Sequence, residues 1–198
     1  MALAVVDSGG ANIASVMQAL GRLGVEAAFT SEAEVIQRAD RVILPGVGSA
    51  GAAMNQLRGT GLDLLIPQLR QPVLGICLGM QLLFERSTES DTRMLGIINS
   101  DVERLPDAPG LRIPHMGWNQ VDIRRSDPLL KGLEDGWFYF VHSYAVPLGD
   151  WTLASSQHGE TFSAVVQQDN FRGAQFHPER SAASGARLLK NFLELPCT

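Results

Sequence analysis

The sequence predicts an α/β fold with a mostly parallel central sheet, helices on both faces and a more antiparallel second half. Three patterns predict it. Through residue 84, short apolar runs alternate with stretches of helical period. From Leu95 to Gln168 the apolar runs are β-like and punctuated by Gly and Pro. From Ala182 to Leu195 the pattern is helical again.

In order along the chain, Ala2 to Val6 reads as a buried strand closed by a turn at Ser8-Gly9-Gly10. Asn12 then serves as N-cap for a helix whose apolar residues Ile13, Val16, Met17, Leu20 and Leu23 keep a helical period. Val25 to Phe29 is the second strand, and Ser31 with Glu34 forms a capping box for the helix after it. Arg41 to Leu44 is the third strand, running into Pro45-Gly46-Val47-Gly48. A helical stretch follows to Leu69, and Val73 to Ile76 is the fourth strand. In the second half the strand candidates are Val121 to Ile123, Trp137 to Val146, Trp151 to Ala154 and Phe162 to Val166. No linker, repeat or low-complexity tract interrupts the chain, so residues 1–198 read as one domain. Parallel strands of this kind place a site at their carboxyl ends.

Composition narrows the function classes. The 198 residues are 45% hydrophobic and 19% charged, an ordinary globular balance. A chain of this length buries roughly 70% of the surface it exposes when unfolded. The net charge of −5, with no Lys or Arg run, argues against nucleic acid and anionic membrane as partners. Two cysteines are too few for a disulfide scaffold and fit a reducing compartment. The opening MALAVVDSGG lacks a signal peptide's basic segment, and no apolar run approaches the ~20 residues that span a bilayer. The expectation is a soluble, cytoplasmic protein.

The segment from Pro72 to Phe84 runs from strand into helix around Gly75-Ile76-Cys77-Leu78-Gly79. This G-x-C-x-G core is the cysteine form of a nucleophile elbow, in which Gly75 and Gly79 let strand and helix approach. At a helix N-terminus the sulfur faces exposed N–H groups and a positive partial charge, which favour the thiolate. A small buried cysteine in an apolar run is the plainer alternative. Cys197 has no such context and reads as incidental.

A cysteine nucleophile needs a base, and the chain has four histidines. His177 lies in Gln175-Phe176-His177-Pro178-Glu179, where an extended backbone would point His177 and Glu179 the same way across a stiff proline. A carboxylate there would fix the imidazole tautomer. His115 and His142 have no carboxylate two residues on, though either could serve as base. His158 follows Ser155-Ser156-Gln157 in a polar turn and reads as a solvated surface residue. No His, Cys and Asp cluster has metal-ligand spacing, and no cofactor or metal is expected.

With Gly75 to Gln81 and Gln175 to Glu179 in hand, the sequence resembles the class I (triad) glutamine amidotransferases. That resemblance implies a flavodoxin-like domain that releases ammonia from L-glutamine. Pro45 to Ser49, Pro114-His115-Met116-Gly117-Trp118-Asn119 and Tyr139 to Tyr144 resemble the imidazole glycerol phosphate synthase branch of that family. The resemblance implies Cys77, His177 and Glu179 as triad, and Gln81, Glu89, Ser143 and Tyr144 as holders of the substrate's amino-acid end. It implies an oxyanion hole at Gly46, Val47 and Leu78, and a heterodimer with a (β/α)8-barrel cyclase through Asn12, Trp118, Tyr139 and Arg180. The opening Asp7-Ser8-Gly9-Gly10-Ala11-Asn12 departs from the family's Asp-Tyr-Gly-x-Gly-Asn. Glycines on both sides of Val47 make its peptide easy to rotate, so the Val47 amide is expected to rest away from the oxyanion site until the partner turns it. Two rival readings are another amidotransferase of the family and a non-catalytic module of the same fold. The Pro-His-Met-Gly-Trp-Asn run speaks against the first, and the intact Cys, His and Glu set against the second.

Overall fold

The computed structural model describes residues 1–10 and 13–196. The first half is built from β1 (Leu3–Val6), α1 (Ile13–Arg22), β2 (Ala28–Thr30), α2 (Ala33–Arg38), β3 (Arg41–Leu44), α3 (Ala50–Gly59), α4 (Leu62–Leu65), β4 (Val73–Ile76) and α5 (Leu78–Gln81). Strands dominate the rest: β5 (Phe84–Ser87), β6 (Thr92–Arg93), β7 (Ile98–Arg104), β8 (His115–Gln120), β9 (Asp122–Ile123), β10 (Trp137–His142) and β11 (Tyr144–Ala145). After them come β12 (Thr152–His158), β13 (Glu160–Gln168), β14 (Phe171–Ala174) and the closing helix α6 (Ala182–Leu193).

An eight-stranded sheet runs in the order β2-β1-β3-β4-β14-β13-β12-β9. Its strands are parallel from β2 to β14 and antiparallel from β14 to β9. The reason lies in strands that are apolar on both faces. Leu3 and Val5 join one buried cluster with Val16 and Leu20 of α1 and Leu188 and Phe192 of α6. The intervening Ala4 and Val6 join the other with Ile36 of α2 and Met54 and Leu57 of α3. A strand alternates its side chains between faces, so such a run stays dry only between two helical layers. Each large side chain buried this way contributes about 1.5–3 kcal/mol. Two smaller sheets run in the orders β10-β8 and β11-β7-β5-β6, and β10 meets the segment that follows β14, where its Tyr139 carbonyl accepts from the His177 N–H.

The third and fourth strands fall where the sequence places them. Several other elements differ. The second strand is three residues, Ala28–Thr30, set by parallel pairing to β1. The capping box does not form: α2 has Glu32 at its N-cap with no side-chain cap bond, and the Glu32 N–H instead donates to Thr30 Oγ1 at 2.9 Å. The Trp137–Val146 run is two strands in two sheets, divided at Ser143, because β10 pairs with β8 while β11 pairs with β7. The Pro114–Asn119 run is mostly strand β8, with Met116 and Trp118 on its outer face. His158 ends strand β12 rather than sitting in a turn; its ring stacks on His115 at 4.1 Å and its Nε2 donates to the Arg112 carbonyl at 2.8 Å. Asn12 and Cys197 lie outside the described residues.

Candidate active site

Adjacent parallel strands β4 and β14 pair Ile76 with Ala174, so the next residues of each chain segment, Cys77 and Gln175, leave the sheet side by side. Cys77 turns sharply there, with φ 54° and ψ −109°. A non-glycine residue in such a conformation carries on the order of 1–3 kcal/mol of strain, held in place by its surroundings. The Cys77 N–H donates to the Ala174 carbonyl at 2.8 Å. The two elbow glycines are required by contact. A Cβ on Gly75 would lie 2.5 Å from the Gly79 carbonyl oxygen, and one on Gly79 would overlap the Leu44 carbonyl. The helix after the elbow, α5, is one turn, and the chain enters β5 within a few residues.

From β14 the chain passes through buried Phe176 to His177, whose N–H donates to the Tyr139 carbonyl at 2.9 Å. Pro178–Arg180 is a 3-10 turn with His177 as its N-cap. The turn, and no extended segment, brings Nδ1 of His177 to 2.8 Å from Oε1 of Glu179. Because a carboxylate only accepts, Nδ1 carries the proton and Nε2 faces away from it. Ser181 braces the turn: its hydroxyl donates to the His177 carbonyl at 2.6 Å and accepts from the Tyr139 N–H at 2.9 Å. Burial by itself lowers the His177 pKa, but hydrogen bonds to Cys77 and Glu179 and their charges outweigh it and push it up to about 10.

Cys77 and His177 line a cavity of about 290 Å³ whose other walls include Gln81, Glu89, Ser143 and Tyr144. All four residues expected to hold the substrate therefore face the elbow. Glu89 Oε2 accepts from the Ala50 N–H at 2.7 Å, at the start of α3. His142 also lines the cavity, yet burial pushes its pKa down to about 3. His115, buried behind it and repelled by His158, sits at about 4. The two form a directed chain. His142 Nδ1 donates to the Tyr144 carbonyl at 2.8 Å, leaving Nε2 to accept from His115 Nδ1 at 3.0 Å. Both are neutral packing groups of the wall, and among the described residues His177 is the one histidine with a carboxylate partner.

Val47 and Leu78 reach the cavity, and the expected oxyanion hole is closed in this state. The Leu78 N–H donates to the Gly46 carbonyl at 3.3 Å. In a trans peptide C=O and N–H point opposite ways, so the Val47 N–H points away from that spot. Upstream, buried Ser8 donates from its hydroxyl to the Pro45 carbonyl at 2.6 Å, tying the β1 turn to this segment.

Three of the four expected interface residues form one outer patch. Trp118 pairs with Tyr139 across β8 and β10, their rings 6.0 Å apart, and the Arg180 guanidinium lies 6.0 Å from the Tyr139 ring centre. Met116 and Trp137, 64% and 51% exposed, share the face and were not singled out by the sequence. Their signal was legible: β8 and β10 alternate buried and exposed positions, with large apolar groups outside. Among the described residues, no group of three or more His, Cys, Asp and Glu could hold a metal ion, and no helix is long and apolar enough to cross a membrane.

The model of the family "Glutamine amidotransferase class-I" matches residues 4–195. The chain belongs to the class I glutamine amidotransferases. This amidotransferase is similar to the imidazole glycerol phosphate synthase subunit HisH of Salmonella typhimurium, with 54% identity over 98% of this chain and 100% of that one. It is 53% identical to the subunit of the same name from Escherichia coli strain K12, over the same shares. A crystal structure of a glutamine amidotransferase superposes with a TM-score of 0.76 at 24% identity, covering 98% of each chain, and shares the amidotransferase fold.

Proposed function

We propose that this amidotransferase is the glutaminase subunit of a cytoplasmic imidazole glycerol phosphate synthase, with Cys77 as nucleophile, His177 as acid and base, and Glu179 as its orienting carboxylate. The observation that carries the chemistry is the strained Cys77 elbow facing the His177–Glu179 pair at one end of an amino-acid-sized cavity. The near-full-length likeness to the two HisH subunits supports the pathway.

Cys77 Sγ attacks the side-chain amide carbon of L-glutamine as the thiolate, while the substrate's amino-acid end lies against Gln81, Glu89, Ser143 and Tyr144. His177 delivers its proton to the departing nitrogen, the C–N bond breaks, and ammonia leaves a glutamyl thioester. Water, losing a proton to the same histidine, then cleaves the thioester to glutamate and free thiol. Ammonia passes to a (β/α)8-barrel cyclase docked on the Trp118, Tyr139 and Arg180 patch. There it is consumed in making imidazole glycerol phosphate and aminoimidazole carboxamide ribotide.

The Gly46 carbonyl on the Leu78 amide is the resting state of this reaction. Without the Val47 donor the oxyanion is poorly held, and one missing donor costs roughly 10²–10³-fold in turnover. The partner must bind the rotated peptide more tightly than the resting one, since only differential affinity shifts such an equilibrium. The test is steady-state glutamate production by the isolated subunit, by its complex with the cyclase, and by that complex with the cyclase's nucleotide ligand. Turnover should rise along that series. Equal turnover in all three would overturn the switch, and no turnover in any would overturn the glutaminase reading.

A further inference from the structure

Gln175 has no part in the mechanism above, yet its side chain is fully buried between the two halves of the site. Its backbone is fixed on β13, where its N–H donates to the Ala164 carbonyl at 2.9 Å. Its side-chain amide has two neighbours. Oε1 lies 2.9 Å from Gln81 Nε2, and Nε2 lies 3.8 Å from Cys77 Sγ.

The direction of this chain is set by one atom that cannot be reversed. Gln81 Nε2 is also 2.9 Å from the Tyr144 backbone carbonyl, which only accepts. Gln81 must therefore present its NH₂ to Tyr144, and both its hydrogens are spent, one on Tyr144 and one on Gln175. That forces the acceptor end of Gln175 toward Gln81 and its donor end toward the sulfur. Two consequences follow. Sulfur receives an N–H whose hydrogen bond strengthens as the atom takes on negative charge. Gln81 keeps only its Oε1 to offer the cavity, an acceptor suited to the α-ammonium of an amino acid.

We propose that Gln175 is a positioning residue for glutamine hydrolysis, orienting the Cys77 sulfur with one end of its amide and the substrate-facing amide of Gln81 with the other. This rests on the glutaminase reading above, and it assigns two separable effects to one side chain. The effect on sulfur appears in kcat and in the chemical reactivity of Cys77. The effect on substrate appears in KM and acts only through Gln81.

The experiment compares Q175M, Q81M and the double variant in the complex with the cyclase. It measures kcat and KM for glutamine, and the rate at which iodoacetamide alkylates Cys77 at neutral pH, read by mass on the Cys77 peptide. Methionine keeps the volume and removes both polar ends. Q175M should lower kcat and the alkylation rate together by roughly 10–100-fold, the worth of a hydrogen bond to a charged group. It should also raise KM roughly 3–10-fold. Q81M should raise KM with a smaller fall in alkylation than Q175M. In the double variant the KM effects should not multiply, because Gln175 reaches the substrate only through Gln81. Wild-type alkylation in Q175M, or multiplicative KM effects, would overturn the proposal. Should Q175M fail to fold, Q175N withdraws the same amide by one methylene and must lower alkylation in the same direction. Alkylation needs neither glutamine nor partner. A wild-type complex that does not hydrolyse glutamine would therefore sink the glutaminase reading while the alkylation arm still judges Gln175.

Discussion

His177 donates from Nδ1 to Oε1 of Glu179 at 2.8 Å, and both residues are buried. The bond fixes which ring nitrogen is left for chemistry and, with Cys77, holds the imidazole protonated well above its usual range, to about 10. His177→Ala is expected to lose roughly 10²–10⁴-fold in glutaminase turnover, the usual worth of a positioned proton carrier. Glu179→Gln should lose less, because the proton carrier remains. The basic limb of its rate–pH profile should move down from near pH 10 toward neutrality, since one cause of the raised pKa is gone. A limb that stays put would remove Glu179 from the role of orienter. Equal damage to thioester formation by His142→Ala would move the role of base from His177.

Cys77→Ala is expected to abolish glutamine-driven synthesis, because no other atom at the elbow can form the thioester. Synthesis from added ammonium salts should survive in the assembled complex, since the cyclase chemistry lies in the other subunit. Paired assays on one preparation check both arms. Residual glutaminase above background would disqualify the proposed nucleophile.

Stability should be greatest near pH 6.5. His115 and His142 are held neutral, at about 4 and about 3, so the unfolded chain takes up their protons first. Their contribution is complete above about pH 6.5 and is lost as pH falls toward those values, at up to about 1.4 kcal/mol per unit per histidine. His177 has the opposite sign. Its raised pKa contributes fully below about pH 6.5 and is lost as pH rises toward about 10. Thermal melts between pH 5 and 9 read both limbs. In His142→Gln the acid limb should flatten between pH 6.5 and 5, above the carboxylate range. An unchanged acid limb would show that the neutral pair does not control it.

Gly79→Ala tests the elbow's packing. Its Cβ would overlap the Leu44 carbonyl of the neighbouring strand, a backbone atom that cannot swing aside. Overpacking of this kind costs about 1–3 kcal/mol or more. For a chain of this size each kcal/mol lowers the melting temperature by roughly 2–4 °C. Gly21→Ala, where nothing lies within 4 Å of the new Cβ, should leave the melting temperature unchanged or raise it slightly. Equal melting temperatures for the two variants would show that strand and helix can separate at no cost.

The sequence by itself determined the parallel half of the fold, the elbow and the nearness of Glu179 to His177 along the chain, because each is a local signal. The 3-10 turn that joins their side chains was not legible there. Apolar runs such as Arg41–Leu44 and Val73–Ile76 are bounded by Pro and Gly, and G-x-C-x-G specifies its own turn. Tertiary structure decided what local signals cannot carry. The break at Ser143 follows from β10 and β11 finding different partners. His158 reads as a polar turn residue until β12 pairs and His115 stacks on it. The missing capping box at Ser31 is an outcome of local competition, since the Glu32 N–H is taken by Thr30 Oγ1. Gln175 stands beside Cys77 because β14 pairs with β4 across nearly a hundred intervening residues, and strand pairing at that separation is a property of the whole sheet.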